Sequence, residues 1–198
     1  MTEAREIKLA KTQNPVHEVI RERWSARSFQ AKPIEQQDLD TLFEAASWAP
    51  SSNNEQPWAY IYALHGTPTF EAMWHILMPG NQPWAQHAGV LIASLARKTH
   101  ANTGAPNKYA WYDTGSANQN LLLQAASMGI LGHVMGGFHH EQALELLQLP
   151  NDYELLCFVA LGYPNAAEEL EEPFRTRELT PRSRKPVHTF VFQDRINS

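Results

Sequence analysis

The sequence predicts a protein of the α/β or α+β class, and three observations support this prediction. Apolar residues recur at helical spacing in several segments, most clearly over residues 35–48. Short β-rich or continuously apolar runs separate these segments, as in "WAYIYAL" (58–64) and "AGVLIASLA" (88–96). The connections between them are too irregular for a simple doubly wound sheet. Helices and strands should therefore alternate around one core.

The first half of the chain contains two helix signals and a strand. Asn14 and Pro15 are typical of an N-cap and a first helical position, which predicts a helix to about Arg23. The next helix should run over 35–48 and end before Pro50, because proline disfavours helical geometry in the residue preceding it. A strand at 58–64, a helix at 67–77 and a buried strand at 88–96 follow. We expect Trp48 and Trp58, which flank the polar stretch between them, to lie in the core.

The second half begins with an irregular polar segment, residues 97–112, which we interpret as a loop or lid. Asp113 should cap a long, largely apolar helix over 114–128, which Gly129 ends. The remaining elements should be a strand at 130–138, a helix at 140–148, a strand at 153–164 and an edge strand in "VHTFVF" (187–192).

Composition excludes several classes of protein. The 198 residues are 43% hydrophobic and 19% charged, which is typical of a single globular domain over 1–198. A lone cysteine, Cys157, rules out an intrachain disulfide, and its apolar strand places it in the core. No apolar run reaches the roughly 18 residues of a membrane span, and the N-terminus lacks the apolar stretch of a signal peptide, so we expect a cytoplasmic protein. A net charge of −5 weighs against nucleic-acid binding.

Two basic stretches at opposite ends of the chain are candidates for an anion site. "RERWSARSF" contains Arg23, Ser25 and Arg27, and "PRSRKP" contains Arg182 and Arg184. If the fold brings them together, their guanidinium groups could bind a phosphate with bidentate hydrogen bonds. The alternative is that they are solvated surface arginines, as most arginines are.

Two further stretches could contact a flat ligand. "WAPSSNNEQPW" (48–58) could be a helix stop and turn, or a polar cradle. Gly136 and Gly137, in "MGGF", would let a ring approach the backbone, although by themselves they are more typical of a plain turn. The run His139-His140-Glu141 lacks the spacing of a metal site, so no metal is expected.

Taken together, these stretches resemble the nitroreductase family of FMN-dependent oxidoreductases. The resemblance covers about 15–192 and consists of "RERWSARSF", "APSSNNEQPW", "DTGSANQNLLLQAASMGILGHVMGGF", "ALGYP" and "PRSRKP", in that order. It implies a mixed sheet flanked by helices and an interlocked homodimer with two FMN sites built from both chains. It also implies that the C-terminal tail, about 165–198, wraps the partner or completes the phosphate site.

The resemblance implies a role for each motif. Arg23 and Ser25 would contact the ribityl phosphate, and Arg27 would lie near the pyrimidine edge of the flavin. Pro50, Ser51, Ser52 and Asn54 would reach the flavin of the other chain. The residues expected at the cofactor are Arg23, Trp24, Ser25, Arg27, Pro50, Ser51, Ser52, Asn54, Asn81, Met135, Gly136, Gly137, Arg182 and Arg184. Trp24 departs from the family pattern, in which a second arginine is common at this position. No side chain is expected to act as an acid, base or nucleophile.

The implied function is ping-pong transfer of a hydride from NADH or NADPH through FMN to a nitroaromatic, a quinone or a similar small acceptor. One alternative keeps FMN but changes the reaction, to reductive dehalogenation, flavin fragmentation or dehydrogenation. Another is a non-catalytic FMN-binding dimer. A colourless anion-binding module is a fourth reading, which the acidic balance disfavours.

Overall fold

A four-stranded sheet forms the centre of the molecule. The computed structural model describes residues 3–196. The strands are β1 (Trp58–Leu64), β2 (Val90–Arg97), β3 (Leu131–Met135) and β4 (Tyr153–Gly162), in the spatial order β1-β2-β4-β3. The two middle strands are almost entirely buried, as their continuous apolar sequences predict.

Helices cover both faces of the sheet and extend beyond it. In chain order they are α1 (Glu3–Lys8), α2 (Glu18–Glu22), α3 (Gln36–Ser47), α4 (Pro68–His75), α5 (Gln82–Ala85), α6 (Ala110–Ser127), α7 (His140–Leu147) and α8 (Phe174–Leu179). Short 3-10 turns lie at Ser52–Asn54, Ala167–Glu169 and Val187–Thr189. The α+β class is therefore confirmed. Within residues 3–196, no helix has both the length and the apolar character needed to cross a bilayer.

The core consists of two layers, one on each face of the sheet. Because side chains alternate along a strand, β2 directs Leu91 to one layer and Ile92 to the other. The layer that contains Ile92 is covered by α3 and α6, and it includes Cys157, whose burial is confirmed and raises the pKa of its thiol to about 11. The opposite layer is covered by α4, α7 and the segment that contains Trp24.

The sheet differs from the mixed sheet that the resemblance implies. All three ladders, β1–β2, β2–β4 and β4–β3, are antiparallel. The one parallel pairing recorded for the described residues is an isolated bridge from Ser25 to Gly132, at the outer edge of β3. The basic stretch near the N-terminus therefore lies along the outer edge of β3.

Three local expectations were wrong. The first basic stretch is preceded by only a short α2 with His17 as N-cap, so Asn14 does not begin a helix. Helix α6 starts at Ala110, and Asp113 lies inside its first turn, where its carboxylate accepts a hydrogen bond from Ser52 N at 3.0 Å. Within 187–192, Val187–Thr189 form a 3-10 turn, and no residue has a strand partner inside the described part of the chain.

Trp48 contradicts its expected place in the core. Its side chain is 80% exposed at the C-terminal end of α3, whereas Trp58 packs against the core layer of α6. The helical pattern buries Leu39, Leu42 and Ala46, and Trp48 falls off that face. Most of the Trp48 side chain is therefore not covered by residues 3–196.

Candidate functional site

The segment 23–27 runs beside the outer edge of β3. Ser25 pairs with Gly132 in the parallel bridge, and His133 Nδ1 lies 2.9 Å from Ala26 O. Burial lowers the pKa of His133 to about 4, so the ring is neutral and its Nδ1–H donates to that carbonyl. Arg23, Ser25 and Arg27 are thereby set along the strand edge.

The C-terminal tail returns to this segment through Arg182. Its Nε donates to Lys8 O at 2.6 Å, and its two terminal nitrogens donate to Arg21 O and Arg23 O. Three of the five donors of the guanidinium thus bind backbone carbonyls. The sequence predicted a phosphate contact for Arg182, but its observed contacts fix the backbone that carries Arg23.

The same return of the tail gathers three guanidinium groups. Burial lowers the pKa values of Arg23 and Arg182, and the positive charge of Arg184 lowers both further. None of the three forms a salt bridge with a carboxylate within residues 3–196. Arginines that crowd one another without an acidic partner favour an anion, because an anion relieves their repulsion.

Arg27 lies farther along the strand edge, on an aromatic floor. Its guanidinium carbon is 6.0 Å from the ring centre of Trp84, which is itself 4.5 Å from the ring centre of His133. Burial is the main cause that lowers the pKa of Arg27, and the charge of Glu178 opposes it. The arginine is thus partly desolvated, so its charge acts strongly on its surroundings.

The double glycine lies just past the end of β3. Asn81 Nδ2 donates to Gly137 O at 3.1 Å, and Met78 N donates to the same carbonyl at 3.0 Å. A Cβ on Gly137 would lie 3.2 Å from Asn81 Nδ2, whereas one on Gly136 would meet nothing within 4 Å. Gly136 therefore leaves open space beside the backbone. Met135, by contrast, is buried in the core, so its side chain faces away from that space.

These groups follow a fixed order along β3. The arginine cluster lies near Gly132, Arg27 lies by His133, and Asn81 with the glycines lies past Met135. Gly132 and Gly136 are about 13 Å apart at the usual rise of a strand. Along this edge, a cluster of arginines suited to an anion lies at one end and the open backbone of the glycines lies at the other. The positive charge of Arg27 lies between them.

The loop at 50–54 lies elsewhere in the chain. It leads into Trp58, whose position along the sheet corresponds to Glu154, near the start of β4. Ser25 pairs with Gly132, whose position corresponds to Leu161, near the end of β4. Trp58 and Ser25 are roughly 24 Å apart along the strands and roughly 19 Å apart across the sheet, because four interstrand spacings separate them. One small ligand cannot contact both within one chain.

The loop is nevertheless well defined. Asn53, Asn54 and Gln56 all have positive φ, between 48° and 57°, and Ser51 Oγ accepts a hydrogen bond from Gln56 N. The Ser52–Asp113 bond fixes it to the start of α6. Asparagine tolerates the left-handed region better than most residues, which explains the sequence "SSNN" here.

Trp24 is buried in the core, unlike its neighbours Arg23 and Ser25, which lie along the strand edge. Its indole is buried, and Nε1 donates to Glu178 Oε1 at 2.9 Å, so only its backbone is available to a ligand. Glu178, Lys8 and His133 were not identified from the sequence. Nothing in the local pattern marks them, because their partners lie far away in the chain.

Comparison with known proteins identifies the group to which this architecture belongs. Residues 20–69 and 66–163 match the nitroreductase family. The chain belongs to that family. The expected resemblance is therefore confirmed over most of the chain, including the first basic stretch, the polar loop and the double glycine.

Individual relatives are distant but cover most of the chain. A 4-nitrobenzoate reductase of Pseudomonas putida is 26% identical, over 73% of this chain and 83% of its own. An NADPH-flavin oxidoreductase of Vibrio harveyi is 27% identical, over 91% of this chain and 74% of its own. A solved structure described as an oxidoreductase containing FMN superposes with a TM-score of 0.90 at 32% identity, covering 94% of this chain and 96% of that one.

Proposed function

We propose that the protein is an FMN-dependent oxidoreductase that takes reducing equivalents from NADH or NADPH. The observation that carries this proposal is the order of groups along β3. Arg23 and Arg184, which have no acidic partner within residues 3–196, suit the phosphate of FMN, and the open backbone at Gly136 suits its flat ring. The relatives described above as a 4-nitrobenzoate reductase, an NADPH-flavin oxidoreductase and an oxidoreductase containing FMN support the same proposal.

Each part of the strand edge has a proposed task. Arg23, Ser25 and Arg184 bind the phosphate, and Arg182 holds Arg23 in place through the backbone. Gly136 and Gly137 let the ring lie against the backbone, and Asn81 fixes the Gly137 carbonyl. Bound FMN would accept a hydride from the nicotinamide and pass reducing equivalents to a nitroaromatic, quinone or similar acceptor in a ping-pong cycle.

The protein itself contributes binding, orientation and charge. Arg27, partly desolvated above Trp84, places a positive charge where the reduced ring is expected to be negative. Its charge should therefore favour the reduced form over the oxidised form. No proton transfer from a side chain is required, and we assign no acid, base or nucleophile.

The site is proposed to be completed by a second copy of the chain. The loop at 50–54 is too far from Arg23 to share a ligand within one chain, so it would reach the site of a partner. Trp48, Trp111 and Tyr112 are all exposed, and the groove between α3 and α6 is apolar. The tail adds exposed Val187, Phe190, Val191, Phe192 and Ile196. Apolar surface of this extent is typical of a protein interface.

The first test is the visible spectrum of the purified protein, followed by anaerobic addition of NADPH or NADH. We expect bound flavin whose absorbance near about 450 nm bleaches, because a nicotinamide hydride reduces it. Bound flavin that neither nucleotide bleaches would favour the non-catalytic dimer. A colourless protein that does not take up added FMN would contradict the proposal. Acceptor screening of the reduced protein then separates nitroaromatics and quinones from the substrates of dehalogenation, flavin fragmentation or dehydrogenation.

Arg23→Ala is expected to weaken FMN binding by about 10- to 100-fold. The reason is the loss of charge-assisted hydrogen bonds to phosphate, each worth roughly 1.5–3 kcal/mol. Titration of apoprotein with FMN, followed by quenching of flavin fluorescence, measures this. Arg23→Lys is the matched control, since it keeps the charge but loses the fork, and its affinity should be intermediate. Full affinity in Arg23→Ala would show that the phosphate lies elsewhere.

A further inference from the structure

A buried carboxylate contacts both ends of the segment that carries Ser25 and Arg27. Glu178, on α8, is 1% exposed. Its Oε1 accepts the indole N–H of Trp24 at 2.9 Å, and its Oε2 accepts the backbone N–H of Arg27 at 3.1 Å. Both oxygens accept hydrogen bonds from N–H donors, which is the pattern of an ionised carboxylate.

A buried lysine supports this carboxylate. Lys8 is 7% exposed, and its Nζ donates at 2.7 Å to both Arg177 O and Thr180 O, at the end of the helix that carries Glu178. Burial raises the pKa of Glu178, while the Trp24 bond and the charges of Lys8 and Arg27 lower it. Burial has the larger effect, so the pKa of Glu178 is raised overall, and the hydrogen bonds from Trp24 and Arg27 partly offset the cost of burying its charge.

Glu178 and His133 together hold the backbone at Ala26 and Arg27. The Oε2 bond fixes the Arg27 backbone from the tail side, while His133 fixes the neighbouring Ala26 carbonyl from the strand side. Arg27 then extends over the ring of Trp84. The backbone from which the guanidinium extends is therefore held by α8, an element more than 140 residues away in the chain.

We propose that Glu178 is a positioning residue that holds Arg27 at the ring edge and thereby sets how strongly the site favours reduced over oxidised flavin. This inference rests on the proposed function and deepens it. Glu178 itself touches neither the ligand nor the nicotinamide. It acts through the Arg27 backbone and joins the tail to the chemistry of the site.

Glu178→Asp is the informative variant, because it keeps the charge and shortens the side chain by one methylene. The shorter carboxylate cannot reach both donors. In apoprotein, amide hydrogen exchange at Arg27 should therefore become at least several-fold faster than in the wild type. This readout needs no FMN. Unchanged exchange at Arg27 would overturn the proposed contact.

The second readout is the flavin reduction potential of the FMN-loaded protein. We expect Glu178→Asp to weaken binding of reduced relative to oxidised FMN by about three- to tenfold, and tenfold is about 30 mV for a two-electron couple. Arg27→Ala should shift the potential in the same direction and further. In the double variant Glu178→Asp/Arg27→Ala, the Glu178 change should add nothing, because its target is gone.

A matched control separates positioning from loss of stability. Ile92→Val removes one methylene from the opposite core layer and should cost about 0.5–1.5 kcal/mol. Its potential should equal that of the wild type. A wild-type potential in Glu178→Asp, or the same shift with Arg27 present and absent, would overturn the inference while leaving FMN binding intact. Failure of the wild type to bind FMN would instead contradict the proposed function.

Discussion

Arg182→Ala is expected to lower the free energy of unfolding of the apoprotein by about 3 kcal/mol. The substitution removes three hydrogen bonds from a charged donor to the carbonyls of Lys8, Arg21 and Arg23. Each such bond contributes roughly 1.5–3 kcal/mol when buried, and the half-exposed position reduces the sum. Denaturant unfolding of apoprotein measures the loss without any contribution from bound FMN.

Arg184→Ala is the matched control, two residues along the same tail. Its guanidinium is exposed, and its one recorded hydrogen bond in the described structure is to the adjacent Ser183 O. We expect its unfolding free energy to stay within about 0.5 kcal/mol of the wild type, as for most surface substitutions. Its FMN affinity should nevertheless fall, because its charge belongs to the proposed phosphate cluster. Equal unfolding free energies for the two variants would contradict the conclusion that Arg182 stabilises the backbone around Arg23.

Two variants that each fail to bind FMN are expected to restore binding when they are produced together. Arg23→Ala/Arg184→Ala removes two arginines of the proposed phosphate site. Ser52→Trp places a bulky side chain in the loop at 50–54. If every site takes its cluster from one chain and its loop from the other, each mixed dimer has one intact site. Random pairing then restores about a quarter of the wild-type flavin content, since half of the dimers are mixed.

The control is co-production of each variant with wild-type chain, which should retain about half of the sites by the same counting. Flavin content per chain, measured on the whole population of dimers without separating the mixed ones, reports the result directly. Absence of flavin from the mixed dimers would mean that the cluster and the loop serve the same chain's site, whereas flavin in the Ser52→Trp variant alone would mean that the loop has no part in it.

Much of the architecture was predictable because the signals are local. The strands at β1, β2 and β4 agree with their sequence patterns, and so does the core placement of Cys157. The helix at α3 begins and ends within about a residue of its predicted bounds, because Pro50 limits it and Leu39, Leu42 and Ala46 define one face. Burial along one face or in one strand is written into neighbouring residues.

Elements with weak local signals were predicted poorly. Asn14 and Pro15 have the chemistry of a helix start, but the helix begins after His17, and Ile20 remains half exposed. "VHTFVF" has strand propensity and no strand partner in its own described chain. Strand propensity reflects packing against a neighbour, so a segment without one does not express it.

The sequence by itself determined that helices alternate with strands, the two core strands, and the residue types suited to a phosphate and a flat ring. Only the tertiary structure showed that the tail brings Arg184 close to Arg23. It also showed that Arg182 donates to backbone carbonyls and that Glu178 accepts a hydrogen bond from the Arg27 backbone. The physical reason is range. Helical and strand patterns come from contacts a few residues apart, whereas these electrostatic contacts join residues more than 140 positions apart, and no local pattern encodes them.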